Sequence, residues 1–353
     1  MILRDLRAKV TSKTAKVGIF GAGYVGLPVA CAFAEAGFHT IVCDSDQDKL
    51  LSIRSGRSYL RDKYTSDLLP GLVASGRLGV DSDIGHVAAV VDFDIIAVPT
   101  PLDDNKHPNL SYVVKVAEAI GKELKPGKFV ILESSVYPGT TDEVIKPILE
   151  RKGLIAGTDF GLAHSPERIN YGENVMNDMK CIPKVVGGVT PLSTQIAAEL
   201  YAQVLRAQVI TVSDTRTAEA TKMLENAYRY VNIALANELA ILHEKLGIDF
   251  FEVVAAASTK PNGFQAFYPG PGVGGHCIPK DPHYLSYKAR QVGQSLRLIE
   301  VSAEIDDMMI DHILDRLATR LRARGKELHG SKVAILGLAF KQDVGDTRNS
   351  PSI

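Results

Sequence analysis

The chain is poor in cysteine. Its four, Cys31, Cys43, Cys181 and Cys277, lie far apart and form no C-x-x-C pair, which argues against a disulfide framework or a zinc site. It also lacks an excess of either charge: the formal net charge is −1, so nothing electrostatic draws it to nucleic acid or a membrane surface. No uncharged apolar run approaches the ~18 residues of a membrane-spanning helix. The first stretch, MILRDLRAKVTSKTAKV, scatters charges among short apolar pieces and has no h-region of a secretory signal. Internal repeats and low-complexity segments are missing too. These absences leave a cytoplasmic protein as the expectation, with no nucleic-acid or membrane partner and no metal.

What is present is an ordinary globular composition: 353 residues, 45% hydrophobic and 23% charged, enough for two or three domains with sizeable cores. Residues 16–44, KVGIFGAGYVGLPVACAFAEAGFHTIVCD, read strand, glycine turn, helix, strand, acid. Apolar β-like runs follow at 92–101, 128–135, 159–167 and 208–213, with helix-like segments such as 111–124 between several of them. That alternation predicts an α/β fold, a Rossmann-type doubly wound parallel sheet over residues 1–213. Near residue 214 the texture changes. Residues 215–247 hold no glycine or proline before Gly247, and Leu224, Ala227, Val231, Leu235, Leu239 and Leu242 recur at helical spacing. About 30 residues at ~1.5 Å each give a helix ~45 Å long. Its other faces are apolar enough to predict wide burial, as in a central or interface helix. With helix-like stretches around 283–293 and 296–323, residues 214–326 read as an all-helical domain. Residues 331–340, SKVAILGLAF, then read as the strand and glycine turn opening a second Rossmann-like domain at 327–353, cut short at Ile353.

Gly21, Gly23 and Gly26 form G-x-G-x-x-G between strand and helix, and Asp44 closes the next strand. The first glycine makes the turn, the second admits a pyrophosphate and the third lets helix and strand pack closely. A carboxylate at that strand end accepts hydrogen bonds from a ribose 2′-OH and repels a 2′-phosphate, which favours NAD over NADP; the alternative is a tight turn with no ligand. Lys222, Asn226 and Arg229 share one face of the long helix, nearly opposite the leucines. They read either as a solvated polar edge or as the lining of an oxygen-rich pocket. Glu167 and Arg168 in SPERIN (165–170), and the hydroxyls of ESSVYPGTT (133–141), follow strands and project from the sheet edge where such folds bind ligands, or else cap turns. Cys277 sits in GPGVGGHCIPKDPHYL (270–285), a stiff loop of glycine and proline that offers a thiol little burial. A thiol in an NAD enzyme can trap an aldehyde covalently before a second oxidation. His276 beside it is badly placed for a Cys–His pair, and His276 and His283 lack a third ligand at metal spacing.

From about Lys16 to its last residue the chain resembles the nucleotide-sugar 6-dehydrogenases, which oxidise the C6 alcohol of UDP-sugars to a carboxylate with two NAD⁺. The motifs are G-A-G-Y-V-G at 21–26, V-P-T-P at 98–101, E-S-S-x-x-P-G-T-T at 133–141 and S-P-E-R at 165–168. They continue with K-x-x-x-N at 222–226, G-P-G-V-G-G-H-C-I-P-K-D-P at 270–282, G-L-A-F-K at 337–341 and D-T-R-x-S-P at 346–351. S-P-E-R with G-G-H-C resembles the N-acetylhexosamine branch, and YPGTTDEVIKPILE with DPHYLSYKA resembles the UDP-N-acetylglucosamine enzymes first and the N-acetylmannosamine enzymes next. The resemblance implies that Cys277 is the nucleophile, forming a thiohemiacetal and then a thioester. Lys222 and Asn226 would hold the oxyanion, with Lys222 also in proton transfer, and Asp281, Glu167 and Ser135 would assist catalysis, Asp281 and Glu167 at the hydrolytic water. Gly21, Gly23, Tyr24, Val25, Gly26, Asp44, Lys49, Thr100, Ser135 and Lys280 would contact NAD. Glu167, Arg168, Lys222, Asn226, Arg229, Gly272, Lys341 and Arg348 would contact the UDP-sugar. It also implies a homodimer or higher homo-oligomer through the long helix, and a C-terminal domain supplying much of the uridine site. Ser135 stands where the family often has Thr, and Lys280 is the residue common in the UDP-glucose branch. The glycines of the Cys277 loop are expected to let the sugar approach the backbone.

Overall fold

The computed structural model describes residues 2–60, 62–168, 180–342 and 344–353, so Ile169 and Asn170 of the SPERIN stretch lie outside the described residues. Two compact units emerge, residues 1–222 and 223–353.

The first unit is built on eight strands: β1 (Lys16–Phe20), β2 (His39–Cys43), β3 (Leu78–Asp81), β4 (Phe93–Ile96), β5 (Phe129–Leu132), β6 (Gly161–His164), β7 (Lys184–Gly188) and β8 (Val209–Thr211). Their order is β3-β2-β1-β4-β5-β6-β7-β8, parallel except for the β6–β7 pair. β1 therefore lies between β2 and β4, where the winding reverses and a crevice opens at the strands' carboxyl ends. Side-chain alternation splits the core into two layers. Val17, Ile19, Ile95, Phe129 and Ile131 pack on one face with the helix Gly26–Glu35, and Phe20, Ile96, Val130 and Leu132 on the other with the helix Ser111–Glu123. β3 (LGVD) and β7 (KVVGG), short and opening or closing on glycine or charge, carry too weak an apolar pattern to be read from sequence.

The helix Thr215–Leu246 spans the boundary, and the helices Phe250–Ala257, Asp281–Gln291 and Arg297–Arg322 complete the second unit. Two expectations change. Residues 331–340 form no strand: a ladder needs a partner, none of the described strands pairs with them, and Val333, Ile335, Leu336 and Leu338 are exposed. The stripe expected to face the core is split: Ala227 is buried and Val231 and Leu239 are half-buried against core clusters, but the rest are not covered. Leu224, Leu235 and Leu242 are exposed, whereas Met223, Ala227, Tyr230, Ala234 and Asn237 are buried. No helix among the described residues is long and apolar enough to cross a membrane.

Candidate active site

The glycine turn after β1 shows why each glycine is needed. Gly21 has φ +110°, and a Cβ there would lie 2.5 Å from the Ala97 carbonyl oxygen. A Cβ on Gly26 would stand 1.7 Å from the Gly21 oxygen, so only glycine lets helix and strand come this close. At Gly23 a Cβ would meet nothing within 4 Å: the second glycine keeps open space, as the approach of a pyrophosphate requires. The helix starting at Gly26 has no side-chain cap at Val25; in its first turn Leu27 donates its N–H to the Gly23 carbonyl at 3.2 Å and Pro28 has none to give. Asp44 Oδ2 accepts the Ala22 N–H at 2.7 Å and Oδ1 the Asp46 N–H at 2.9 Å, so the acid is fixed against the turn. Lys49 Nζ lies 3.9 Å from Asp44 and 3.6 Å from Asp46. Tyr24 and Val25 are half-buried on the turn itself. Across the crevice Thr100 Oγ1 donates to the Ser135 carbonyl at 2.8 Å, and Ser134 Oγ to the Val98 carbonyl at 2.8 Å, tying V-P-T-P to E-S-S. These residues fit a dinucleotide.

At the ends of β5, β6 and β7 the same unit buries a charged network that sequence reading did not find. Lys184 Nζ sits 2.8 Å from Glu133 Oε1 and 2.9 Å from Glu167 Oε2, all three side chains less than a tenth exposed. Tyr201 donates its hydroxyl to Glu133 at 2.6 Å. Lys222 Nζ donates to the Glu167 carbonyl oxygen at 2.6 Å, and Glu167 Oε1 accepts the Arg168 N–H at 2.7 Å. Arg168 also donates to the Pro183 carbonyl at 2.6 Å. Burial, partly offset by Lys184, pushes the Glu133 carboxyl up; burial opposes the charge on Lys184, but the two carboxylates more than compensate and raise it. His164, at the end of β6, is driven down to about 3 by burial and by the charges of Lys222 and Lys184, so it is neutral at any working pH. One signal for Lys184 was available: a lysine opening an apolar strand, directly before VVGG.

Glu219, one turn before Lys222, was also missed. It accepts the Gly139 N–H at 2.5 Å, the Thr141 N–H at 2.8 Å and the Thr141 hydroxyl at 2.6 Å, pinning P-G-T-T to the long helix. Burial raises its carboxyl to about 7 against the pull of those donors.

In the second unit, Asp281 is fully buried and accepts from Asn226 Nδ2 at 2.7 Å, with Lys280 Nζ 3.1 Å from its other oxygen. Lys280 also lies 4.5 Å from the centre of the Tyr284 ring. The Cys277 carbonyl accepts the N–H groups of Lys280 (3.1 Å) and Asp281 (2.8 Å), so the half-buried thiol is presented from the turn that starts the helix Asp281–Gln291. Asn226 is buried and Arg229 exposed, although both stand on the polar face. The loop glycines are used differently from the expectation. A Cβ on Gly274 or Gly275 would fall 2.5 or 2.6 Å from Phe340, and one on Gly272 (φ +119°) 3.2 Å from Asp306, so these three admit the chain's own residues. Only Gly270 of the loop's glycines faces open space. Asp346 holds Arg348 through two hydrogen bonds of 2.9 and 3.1 Å and pairs with His276 at 3.1 Å; Asn349 donates to the Gly275 carbonyl at 3.1 Å. D-T-R-N-S-P is thus docked on the Cys277 loop, with Lys341 half-buried beside it.

Residues 15–205 match the family model described as UDP-glucose/GDP-mannose dehydrogenase family, NAD binding domain, and residues 216–308 its central domain. Protein CapL of Staphylococcus aureus is 40% identical over 96% of this chain and 77% of its own length. A UDP-N-acetyl-D-glucosamine 6-dehydrogenase of Pseudomonas aeruginosa is 38% identical over 96% of this chain and 78% of its own. The solved structure of a UDP-D-ManNAc dehydrogenase from Pyrococcus horikoshii superposes with a TM-score of 0.90 at 32% identity, covering 96% of this chain and 79% of that one.

Proposed function

Because the chain belongs to the UDP-glucose/GDP-mannose dehydrogenase family and is an NAD-dependent oxidoreductase, we propose that it oxidises the C6 alcohol of a UDP-N-acetylhexosamine to the uronic acid. UDP-N-acetyl-D-glucosamine is the first candidate substrate, because the P. aeruginosa relative named for it shares more identity than the P. horikoshii enzyme named for the mannosamine sugar. The observation that carries the covalent part is Cys277. Of the buried or half-buried thiols it alone stands in a loop, its backbone held by Lys280 and Asp281.

NAD⁺, held by the glycine turn and Asp44, would accept the hydride in each of two oxidations. The first leaves an aldehyde, which has no second hydride to give until a nucleophile adds to its carbonyl. In this reading the Cys277 thiolate adds, Lys222 and Asn226 donate to the oxyanion, and collapse leaves a thioester on Cys277. Glu167 and Asp281 orient the water that cleaves it. Ser135, Thr100, Lys49 and Lys280 serve the cofactor, and Arg168, Arg229, Lys341 and Arg348 the sugar nucleotide.

The partner in this reading is a second copy of the chain. At 100° per residue Leu224, Tyr228, Leu235, Leu242 and Leu246 fall within a strip about 40° wide on the long helix, and all five are exposed. An apolar strip this regular fits a self-association face. The uronic acid would serve surface-polysaccharide synthesis in the cytoplasm. A panel of UDP-sugars assayed with NAD⁺ tests the substrate: highest kcat/KM on UDP-N-acetyl-D-glucosamine is expected. Preference for the mannosamine sugar or for UDP-glucose moves the assignment to that branch, and NAD⁺ binding without turnover on any sugar overturns it.

A further inference from the structure

We propose that Lys184 is a positioning residue for the hydrolytic half of the reaction: it fixes the Glu167 carboxylate in the orientation from which that group acts on water. The inference rests on the role given to Glu167 above and adds a residue that lies outside the sequence motifs.

Lys184 is the only group among the described ion pairs that bridges Glu133 and Glu167, and it does so at 2.8 and 2.9 Å from inside the core. Glu167 is thereby held at three points. Lys184 takes Oε2, the Arg168 N–H takes Oε1 at 2.7 Å, and Lys222 takes the main-chain carbonyl at 2.6 Å. A carboxylate held at both oxygens and at its backbone has one orientation, which is what a group aimed at a water needs. Glu133 completes the arrangement rather than competing with it. It is fully buried, anchored by Tyr201 at 2.6 Å, and gives Lys184 a second anion that keeps the ammonium in place. Without the lysine, two carboxylates would share one buried site; one would take a proton, and Glu167 would lose its fixed direction.

The water oxygen bonds to the thioester carbonyl carbon while Glu167 takes one of its protons. The C–S bond then breaks, sulfur leaves as the Cys277 thiolate, and the carboxylic acid product and Glu167 each release a proton to solvent, restoring the Glu167 carboxylate. No oxidant or reductant enters this step.

The test is made in the full-length enzyme, with steady-state kinetics and mass spectrometry of the protein during turnover. Lys184→Met should lower kcat on the order of 10²-fold, the scale of a misplaced catalytic group. The KM for NAD⁺ should stay near wild type, and a sugar adduct should accumulate on Cys277, as in Glu167→Gln. Lys184→Arg, able to bridge two carboxylates, should restore most of the turnover. Tyr201→Phe disturbs the same buried network but leaves the Lys184–Glu167 pair, and should keep near wild-type kcat without adduct. Should Lys184→Met fail to fold, the double variant with Glu133→Gln removes one charge of each sign and should still accumulate adduct. Near wild-type turnover without adduct in Lys184→Met, beside adduct in Glu167→Gln, overturns the inference and leaves the role of Glu167 standing. Adduct in Tyr201→Phe at the level of Lys184→Met also overturns it, since core integrity would then be the cause. Wild-type behaviour in Glu167→Gln removes the underlying reading, and the inference with it.

Discussion

A thiol's environment decides whether it can be a nucleophile, and this chain offers three environments. Cys31 and Cys43 are buried in the sheet core, where desolvation followed by nearby carboxylates pushes both up to about 12, so they stay protonated at neutral pH. Cys181 is exposed and Cys277 half-buried in its loop. Brief alkylation of the native protein should therefore label Cys277 and Cys181 and spare Cys31 and Cys43, as read by peptide mass mapping. Labelling of Cys31 without unfolding would contradict the core assignment. Asp44 makes a second residue-scale prediction. In the proposed cofactor site its carboxylate, fixed 2.7 Å from the Ala22 amide, would repel the 2′-phosphate of NADP⁺. NAD⁺ should bind at least roughly tenfold more tightly than NADP⁺ in a calorimetric titration, a difference of ~1.4 kcal/mol. Asp44→Ala should narrow the gap, and equal affinities in the wild type would refute the assignment. At this scale the sequence was most legible where one residue does one job in one motif: Gly21, Gly23, Gly26 and Asp44. It was least legible where function is shared across distant strands, because Glu133, Glu167 and Lys184 become neighbours only once β5, β6 and β7 are side by side.

Periodicity revealed the long helix but not which of its faces is covered. Leu224, Leu235 and Leu242 were legible as a stripe, yet the covered face is the one with Lys222, Asn226 and Tyr230. An apolar stripe states that a face needs a partner; only the fold shows whether the same chain supplies it. The strand expected at 331–340 fails for a related reason, since β propensity is expressed only where a neighbouring strand completes the hydrogen bonds. The clamp between Glu219 and P-G-T-T carries the element-scale prediction. Its carboxyl titrates near 7 in the fold against about 4.5 in the unfolded chain, so the folded state binds the proton more tightly. The stabilisation from this proton is complete below about pH 4.5 and is lost as pH rises through about 7. Urea midpoints measured from pH 5 to 8 should show wild type losing stability relative to Glu219→Gln as pH rises. A difference that is constant with pH would show that Glu219 is ionised throughout.

On the scale of the whole molecule, strand alternation foretold a mostly parallel sheet, whereas its order, with β1 beside β4 at the switch in winding, came only with the fold. Self-association is argued from the exposed strip on the long helix. Sedimentation should find twice the chain mass at micromolar concentration, and Leu235→Glu with Leu242→Glu should return it to the monomer, because a carboxylate buried in an apolar interface has no partner. A monomeric wild type would remove the dimer reading. Four-electron oxidation through Cys277 fixes the ratio of NADH formed to UDP-sugar consumed, measured in the wild type and in Cys277→Ser. The wild type should yield two NADH and one carboxylate per sugar, and turnover should fall by several orders of magnitude in Cys277→Ser while NAD⁺ affinity is kept, since serine is nearly isosteric but a far weaker nucleophile and leaving group. A Cys277→Ser enzyme that still makes two NADH per sugar at near wild-type rate would contradict oxidation through Cys277.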